Sequence, residues 1–294
     1  MCRRVAWWPA ALAIAWPELA WAHGGAHVDE ELAWDLATAG TLAVLAAAYL
    51  VGLARSRTIS IARAASYLAG LAVVALAQLS SLDTASEIWF SAHMGQHELQ
   101  ILFAAPLIVV GRPELVLRAA LPATSRSLVR SFVHRRSVHA LLRVLANRWL
   151  ALVLHGVVVW LWHIPALFEA ALHSETIHVL QHLSFFATAA LFWWAMSRGR
   201  YGQAAYGLAV VFVFLTALHK GLLAMLLTVA GRTLYPTHVA RTEAAGGDAL
   251  RDQELAGLIM WVPAGVVMAA LALGLFVAWL GALERREESR HARD

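Results

Sequence analysis

The sequence predicts an all-α membrane protein, a bundle of seven transmembrane helices. Of its 294 residues, 60% are hydrophobic and only 14% are charged, which is typical of the membrane class. Apolar stretches of about 17 to 25 residues recur along the chain, and each could cross a hydrocarbon core of about 30 Å as a helix. We therefore expect the lipid bilayer as a partner, and no nucleic acid.

Residues 1–22 have the pattern of a signal peptide. Two arginines precede a short apolar core, and Ala20 and Ala22 have the small-x-small spacing of a cleavage site. Cys2, the single cysteine, lies in this segment. The mature chain would therefore have no disulfide, no thiolate metal site and no covalently attached haem.

The rest of the chain divides into a transmembrane domain, residues 23–284, and a charged cytoplasmic tail, residues 285–294. Charged or turn-forming segments separate the apolar stretches within the domain. The seven predicted spans are residues 34–53, 64–81, 90–110, 149–168, 178–197, 204–228 and 255–280.

The basic residues predict the orientation of the bundle. If seven helices alternate, 17 of the 23 lysines and arginines fall on one side. Because cytoplasmic loops carry the excess of such residues, the mature N-terminus is predicted outside and the C-terminus in the cytoplasm. Eight of these arginines lie between Gly111 and Arg148, a segment predicted either as an amphipathic helix on the anionic inner leaflet or as a solvated basic loop.

In this orientation, five histidines fall at the outer ends of three spans. His93 and His97 open the third span, His163 closes the fourth, and His178 and His182 open the fifth. Residues four apart lie on one helix face, so each H-x-x-x-H pair can direct both rings at one point. Neutral imidazole binds copper, zinc and iron, so the five histidines are a candidate metal site. The alternative is a set of interfacial histidines that hydrogen-bond to nearby carboxylates or loop carbonyls.

Several ionisable residues lie close to these histidines in the sequence. Glu98 could orient an imidazole as a hydrogen-bond acceptor, or it could pair with Lys220, the only lysine in the chain. His219, beside Lys220, is predicted in the outer half of the sixth span. His155 lies nearer the inner end of the fourth span, where we expect a packed ring with a backbone, serine or threonine partner.

The start of the last span supplies further auxiliary candidates. Asp252 and Gln253 could accept a histidine N–H. Met260 and Met94 are thioethers that suit Cu(I), although methionine in an apolar helix is also ordinary core filler.

Cleavage after Ala22 would create a speculative N-terminal metal site. The new α-amino group and the ring of His23 could chelate one ion, with His27 nearby. An ordinary polar loop after the leader is the alternative.

Three blocks of the sequence, residues 93–113, 161–194 and 252–265, resemble the CtaG-type cytochrome c oxidase assembly proteins, polytopic membrane proteins of bacteria. The resemblance extends over about residues 34–280. It implies a seven-helix bundle in the bacterial plasma (inner) membrane, with the family's histidine positions at His93, His97, His163, His178 and His182. Glu98 and His238 depart from the expected pattern, where an apolar and an aromatic residue would be usual.

The resemblance implies an assembly factor for a haem-copper oxidase. It would take copper, Cu(I) or Cu(II), from a periplasmic copper donor and pass it to cytochrome c oxidase subunits. The alternatives are a membrane cytochrome that binds haem b through facing histidines, and a metal transporter using His219, Lys220 and Glu98. We expect no enzyme, because neither H-E-x-x-H nor G-x-S-x-G occurs.

Overall fold

The structure is a computed structural model and describes residues 27–56, 59–197 and 203–291. All regular secondary structure in these ranges is helical, as the sequence predicted. In chain order the helices are α1 (His27–Arg55), α2 (Ile61–Gln78), α3 (Ser81–Ile88), α4 (Phe90–Val110), α5 (Pro113–Ala120), α6 (Ala123–Val133), α7 (Arg136–Leu145), α8 (Arg148–Trp162), α9 (Pro165–His173), α10 (Glu175–Ser197), α11 (Gln203–Val229), α12 (Pro236–Ala244) and α13 (Ala249–His291).

The described helices provide five to seven candidate membrane spans. Helices α1, α2, α10, α11 and α13 qualify singly. Two bent pairs qualify only when each is joined: α4 with α5, bent by 58°, and α7 with α8, bent by 72°. The chain therefore has the helices of a multi-pass membrane protein, and the predicted seven is the upper end of this range.

The fourth predicted span ends earlier than its hydropathy indicated. Helix α8 stops at Trp162, not at residue 168, and α9 begins with Pro165 at its first turn. Proline has no backbone N–H and restricts the residue before it to extended conformations, so Ile164 cannot continue the helix. Residues 165–168 therefore belong to a separate helix at this end of the bundle.

Helix α4 lies at the centre of the bundle, in contact with α2, α3, α10 and α13. Leu99–Ala104 within it form a π-helical turn just before Pro106. Proline removes one helical hydrogen bond and clashes with the carbonyl four residues earlier, so a wider turn accommodates it. The indole N–H of Trp193 donates to the carbonyl of Ile101 at 3.1 Å, satisfying an acceptor in this turn.

Two glycines allow neighbouring helices to approach closely. A Cβ atom at Gly257 of α13 would lie 2.7 Å from the carbonyl oxygen of Ala224 in α11. A Cβ atom at Gly70 of α2 would lie 2.6 Å from the side chain of Ile108 in α4. Small residues at such crossings are typical of helix packing in membranes.

The two ends of the bundle differ in composition. One carries the N-terminal ends of α4 and α10 and is called the histidine end. The other, called the basic end, carries α5, α6 and α7, which together occupy most of the segment between Gly111 and Arg148. Leu128, Phe132 and Leu141 are exposed there among arginines, in accord with the predicted amphipathic helix. The predicted tail from residue 285 continues α13 as far as His291.

Candidate metal centre

Two helices present the paired histidines at the histidine end. In α4, the Nε2 atoms of His93 and His97 are 2.9 Å apart. In α10, the Nε2 atoms of His178 and His182 are also 2.9 Å apart. The four-residue spacing thus brings each pair into contact within its own helix.

The two pairs also meet each other across the interface between α4 and α10. The ring centroids of His97 and His182 are 4.6 Å apart, and those of His93 and His178 are 5.8 Å apart. His93, His178 and His182 can each offer a ligand nitrogen such that all three nitrogens lie within 4.8 Å of one another. We call the two pairs together, His93, His97, His178 and His182, the histidine cluster. His93, His97 and His182 are buried, whereas His178 is half-buried.

Two glutamines that the sequence analysis missed hold the ring of His182. The amide nitrogens of Gln78, at the end of α2, and Gln100, in the π-helical turn, each lie 3.0 Å from His182 Nδ1. With one amide turned over, its oxygen would accept a hydrogen bond from Nδ1–H, and Nε2 would then carry the lone pair of a ligand. In the sequence, these glutamines could have been recognised as partners of the histidines because they lie near the same depth in the predicted spans.

The start of α4 is fixed by a carboxylate from α13. Asp252 accepts hydrogen bonds from the backbone N–H of Phe90 at 2.6 Å and from the hydroxyl of Ser91 at 2.5 Å. Gln253 accepts from the N–H of Leu234 at 2.8 Å and donates to the carbonyls of Leu227, in the last turn of α11, and Arg232. The expectation that Asp252 and Gln253 would hold a histidine N–H is corrected accordingly: both bind backbone groups, because helix starts and loops have unpaired backbone groups to satisfy.

Glu98 and Lys220 form a buried ion pair. Lys220 Nζ lies 2.7 and 3.0 Å from the two carboxylate oxygens of Glu98. Of the two roles predicted for Glu98, the structure has the pairing with Lys220.

His163 lies at the edge of the cluster. The ring of Phe185 packs near both His97 and His163, with its centroid 4.8 Å from that of His97 and 6.1 Å from that of His163. His163 Nδ1 is 2.7 Å from the carbonyl of Val159, and the hydroxyl of Tyr235 donates to the backbone carbonyl of His163 at 3.0 Å. The expected fifth ligand therefore lies beside the four cluster rings, not among them.

His219 lies away from the cluster, beside His155, with their ring centroids 6.4 Å apart. His155 Nδ1 is 3.2 Å from the hydroxyl of Thr188, the kind of partner that the sequence predicted. Below them, toward the basic end, Leu152, Phe192 and Phe212 form an apolar cluster. The polar groups named for a transport path therefore end at an apolar layer, which weighs against a transporter.

His238 is a buried neighbour of the cluster that was not among the predicted ligands. It lies in α12, outside the candidate spans, and its ring centroid is 5.5 Å from that of His93. Burial, with a smaller contribution from Arg241, lowers the pKa of His238 to about 4, so the ring is neutral at pH 7. Its signal in the sequence was the departure from an aromatic residue.

The N-terminal candidates cannot be compared with the site. His23 and the predicted cleavage site lie outside the described residues, and His27 is the first residue of α1.

The cluster favours a compact ion over a haem. Neutral imidazoles are ligands for first-row metals, and no thiolate is needed. A haem held by facing histidines would need a wide slot between their rings. Here the rings contact one another, and Phe168 lies 5.2 Å from His93 between centroids.

Comparison with known proteins identifies the family of the chain. A family model described as cytochrome c oxidase caa3 assembly factor matches residues 47–282, which is well over half of the chain. No curated protein and no solved structure matches the chain.

Proposed function

Because the chain belongs to the cytochrome c oxidase caa3 assembly factor family, we propose that it binds copper in the histidine cluster and delivers it to an oxidase subunit. The family membership confirms the resemblance predicted from the sequence. It also implies that the protein associates with the oxidase and lies in a membrane, where the proposed delivery of copper would take place.

The observation that carries this proposal is the meeting of four imidazoles from two helices inside an apolar bundle. Buried polar side chains in a membrane are costly and are functional by default. A cluster of neutral nitrogens can hold Cu(I) or Cu(II) and can release it by exchanging ligands one at a time. Copper is here a cargo, so the chain itself needs no catalytic group.

The half-buried ring of His178 is the proposed point of exchange. The other three cluster rings are buried, so a copper donor would reach His178 first. The positive-inside orientation would put this end of the bundle on the periplasmic side, where a soluble copper donor could dock. An oxidase subunit approaching through the membrane could then receive the ion.

Metal analysis of the full-length protein, purified without a histidine tag, tests this function. We expect copper in the wild type and at least a tenfold loss of affinity in His93→Ala with His182→Ala, because two ligands of the cluster are removed. Cells with this variant should contain oxidase with less copper. The matched control is His134→Ala with His139→Ala, two histidines of the basic end, which should leave both measurements unchanged.

The proposal fails if the purified wild type binds no copper and the His93 and His182 substitutions leave the copper content of the oxidase intact. A Soret absorbance band in the purified protein would instead favour haem b.

A further inference from the structure

A small cavity lies next to the histidine cluster, on the far side of His97. Its volume is about 10 Å³, room for about one water-sized species. It is enclosed by side chains from four spanning helices and the end of α8, among them Met94, His97, Glu98, His163, Lys220 and Met260.

In the ring of His163, the nitrogen that carries the lone pair is Nε2, and this atom has no partner among the described residues. A carbonyl oxygen can only accept, so Nδ1, which is 2.7 Å from the Val159 carbonyl, must carry the proton. Nε2 is then the bare acceptor, and it is buried with no hydrogen-bond partner among the residues that the structure describes. A histidine that donates one N–H to a backbone carbonyl and offers its other nitrogen is arranged as metal ligands commonly are.

His97, which lines the same cavity, also has a ring nitrogen without a partner in the described ranges. Its Nε2 contacts His93, while its Nδ1 is buried and lacks a partner within the described part of the chain. When Nε2–H donates to His93, Nδ1 carries the lone pair. Both residues line this cavity, and each has a buried ring nitrogen without a partner among the described residues, which is costly unless something binds there.

We propose that this cavity is a second copper position, selective for Cu(I) and formed by His97 Nδ1, His163 Nε2 and the thioethers of Met94 and Met260. Both methionines are buried, at 1 and 3% exposure. Soft thioethers with imidazoles suit Cu(I) better than zinc or Cu(II). This inference rests on the proposed function and adds to it a place to hold the ion away from water.

The charges around the cavity also favour a monovalent ion. The ammonium of Lys220 lines the cavity, and the adjacent carboxylate of Glu98 offsets it. A divalent ion would meet stronger repulsion from the ammonium than Cu(I) does. His93, His178 and His182 can hold a first ion without His97, so both positions could be filled together.

An anaerobic Cu(I) titration of the full-length, untagged protein against a competing chelator, combined with copper X-ray absorption, tests the second position. We expect two Cu(I) ions per chain and sulfur scattering from one of them. The double variant Met94→Leu with Met260→Leu should lose one ion and the sulfur scattering, while the other ion stays bound by nitrogen only. Leucine nearly conserves the volume of methionine, so the fold should tolerate the exchange.

Met268→Leu is the matched control. Met268 is buried in the same helix, α13, but packs in another apolar cluster, so this variant should keep both ions. A wild type that binds one ion with nitrogen ligands alone would overturn the second position and leave the proposed function standing. A double variant indistinguishable from the wild type would overturn it as well. A wild type that binds no copper would overturn both proposals.

Discussion

The histidine cluster and the Glu98–Lys220 ion pair are both polar and largely buried, and they adjoin at His97 and Glu98, yet their polar atoms differ in how many have hydrogen-bond partners. Lys220 meets both oxygens of Glu98 within 3.0 Å. In the cluster, the rings contact chiefly one another, and His97 Nδ1 has no partner among the described residues. The ion pair is complete within the protein, whereas the cluster retains unused capacity for hydrogen bonds or a ligand.

This difference separates a structural polar group from a binding one. A buried ion pair is stable only while both charges are present, so it ties α4 to α11. A group with unused lone pairs lowers the stability of the protein without ligand and gains when an ion arrives. A buried polar side chain in a membrane bundle therefore indicates a binding function only when its hydrogen-bond and ion-pair partners have been identified and some of its atoms lack them.

Breaking the ion pair should give the largest loss of stability. Lys220→Met leaves the Glu98 carboxylate buried without its cation, and we expect a loss of about 3–5 kcal/mol. Thermal unfolding in detergent, followed by circular dichroism, measures it. The control is the double variant Glu98→Gln with Lys220→Met, which removes both charges and should recover most of the loss. If Lys220→Met unfolds like the wild type, the pair is not a structural element.

The sequence was sufficient to predict the helical class, the family and the position of the paired histidines near the starts of their helices. H-x-x-x-H spacing in an apolar helix determines which rings share a face, and hydropathy places them near a helix end. The structure brings those four rings together. Whether they bind copper stays a prediction.

The sequence could not identify partners that come from distant parts of the chain. Asp252 caps a helix that begins 162 residues earlier, and nothing local to either segment indicates that contact.

His219 was assigned to the outer polar group together with Lys220. Adjacent residues on a helix point about 100° apart, so Lys220 facing α4 directs His219 toward α8. The helical period alone therefore predicts that these two side chains face different neighbours.

Removing the cap on α4 should have an intermediate effect. Asp252→Ala leaves the N–H of Phe90 and the hydroxyl of Ser91 without their acceptor, and we expect a loss of about 1–2 kcal/mol. The same unfolding measurement applies. Asp252→Asn keeps one acceptor oxygen and should lose less. Equal losses in the two variants would mean that charge, and not the cap geometry, stabilises this helix start.

The smallest effect on stability is expected from the cluster itself. His97→Leu removes the buried Nδ1 that lacks a partner, and this gain offsets the lost contact with His93, so stability should change by less than about 1 kcal/mol. Copper affinity at the second position should nevertheless fall at least tenfold, because His97 Nδ1 is a proposed ligand there. Unfolding and copper titration on the same preparation measure both. A loss as large as that of Lys220→Met, with copper affinity unchanged, would make His97 a structural residue, and the distinction between the two polar sites would then fail.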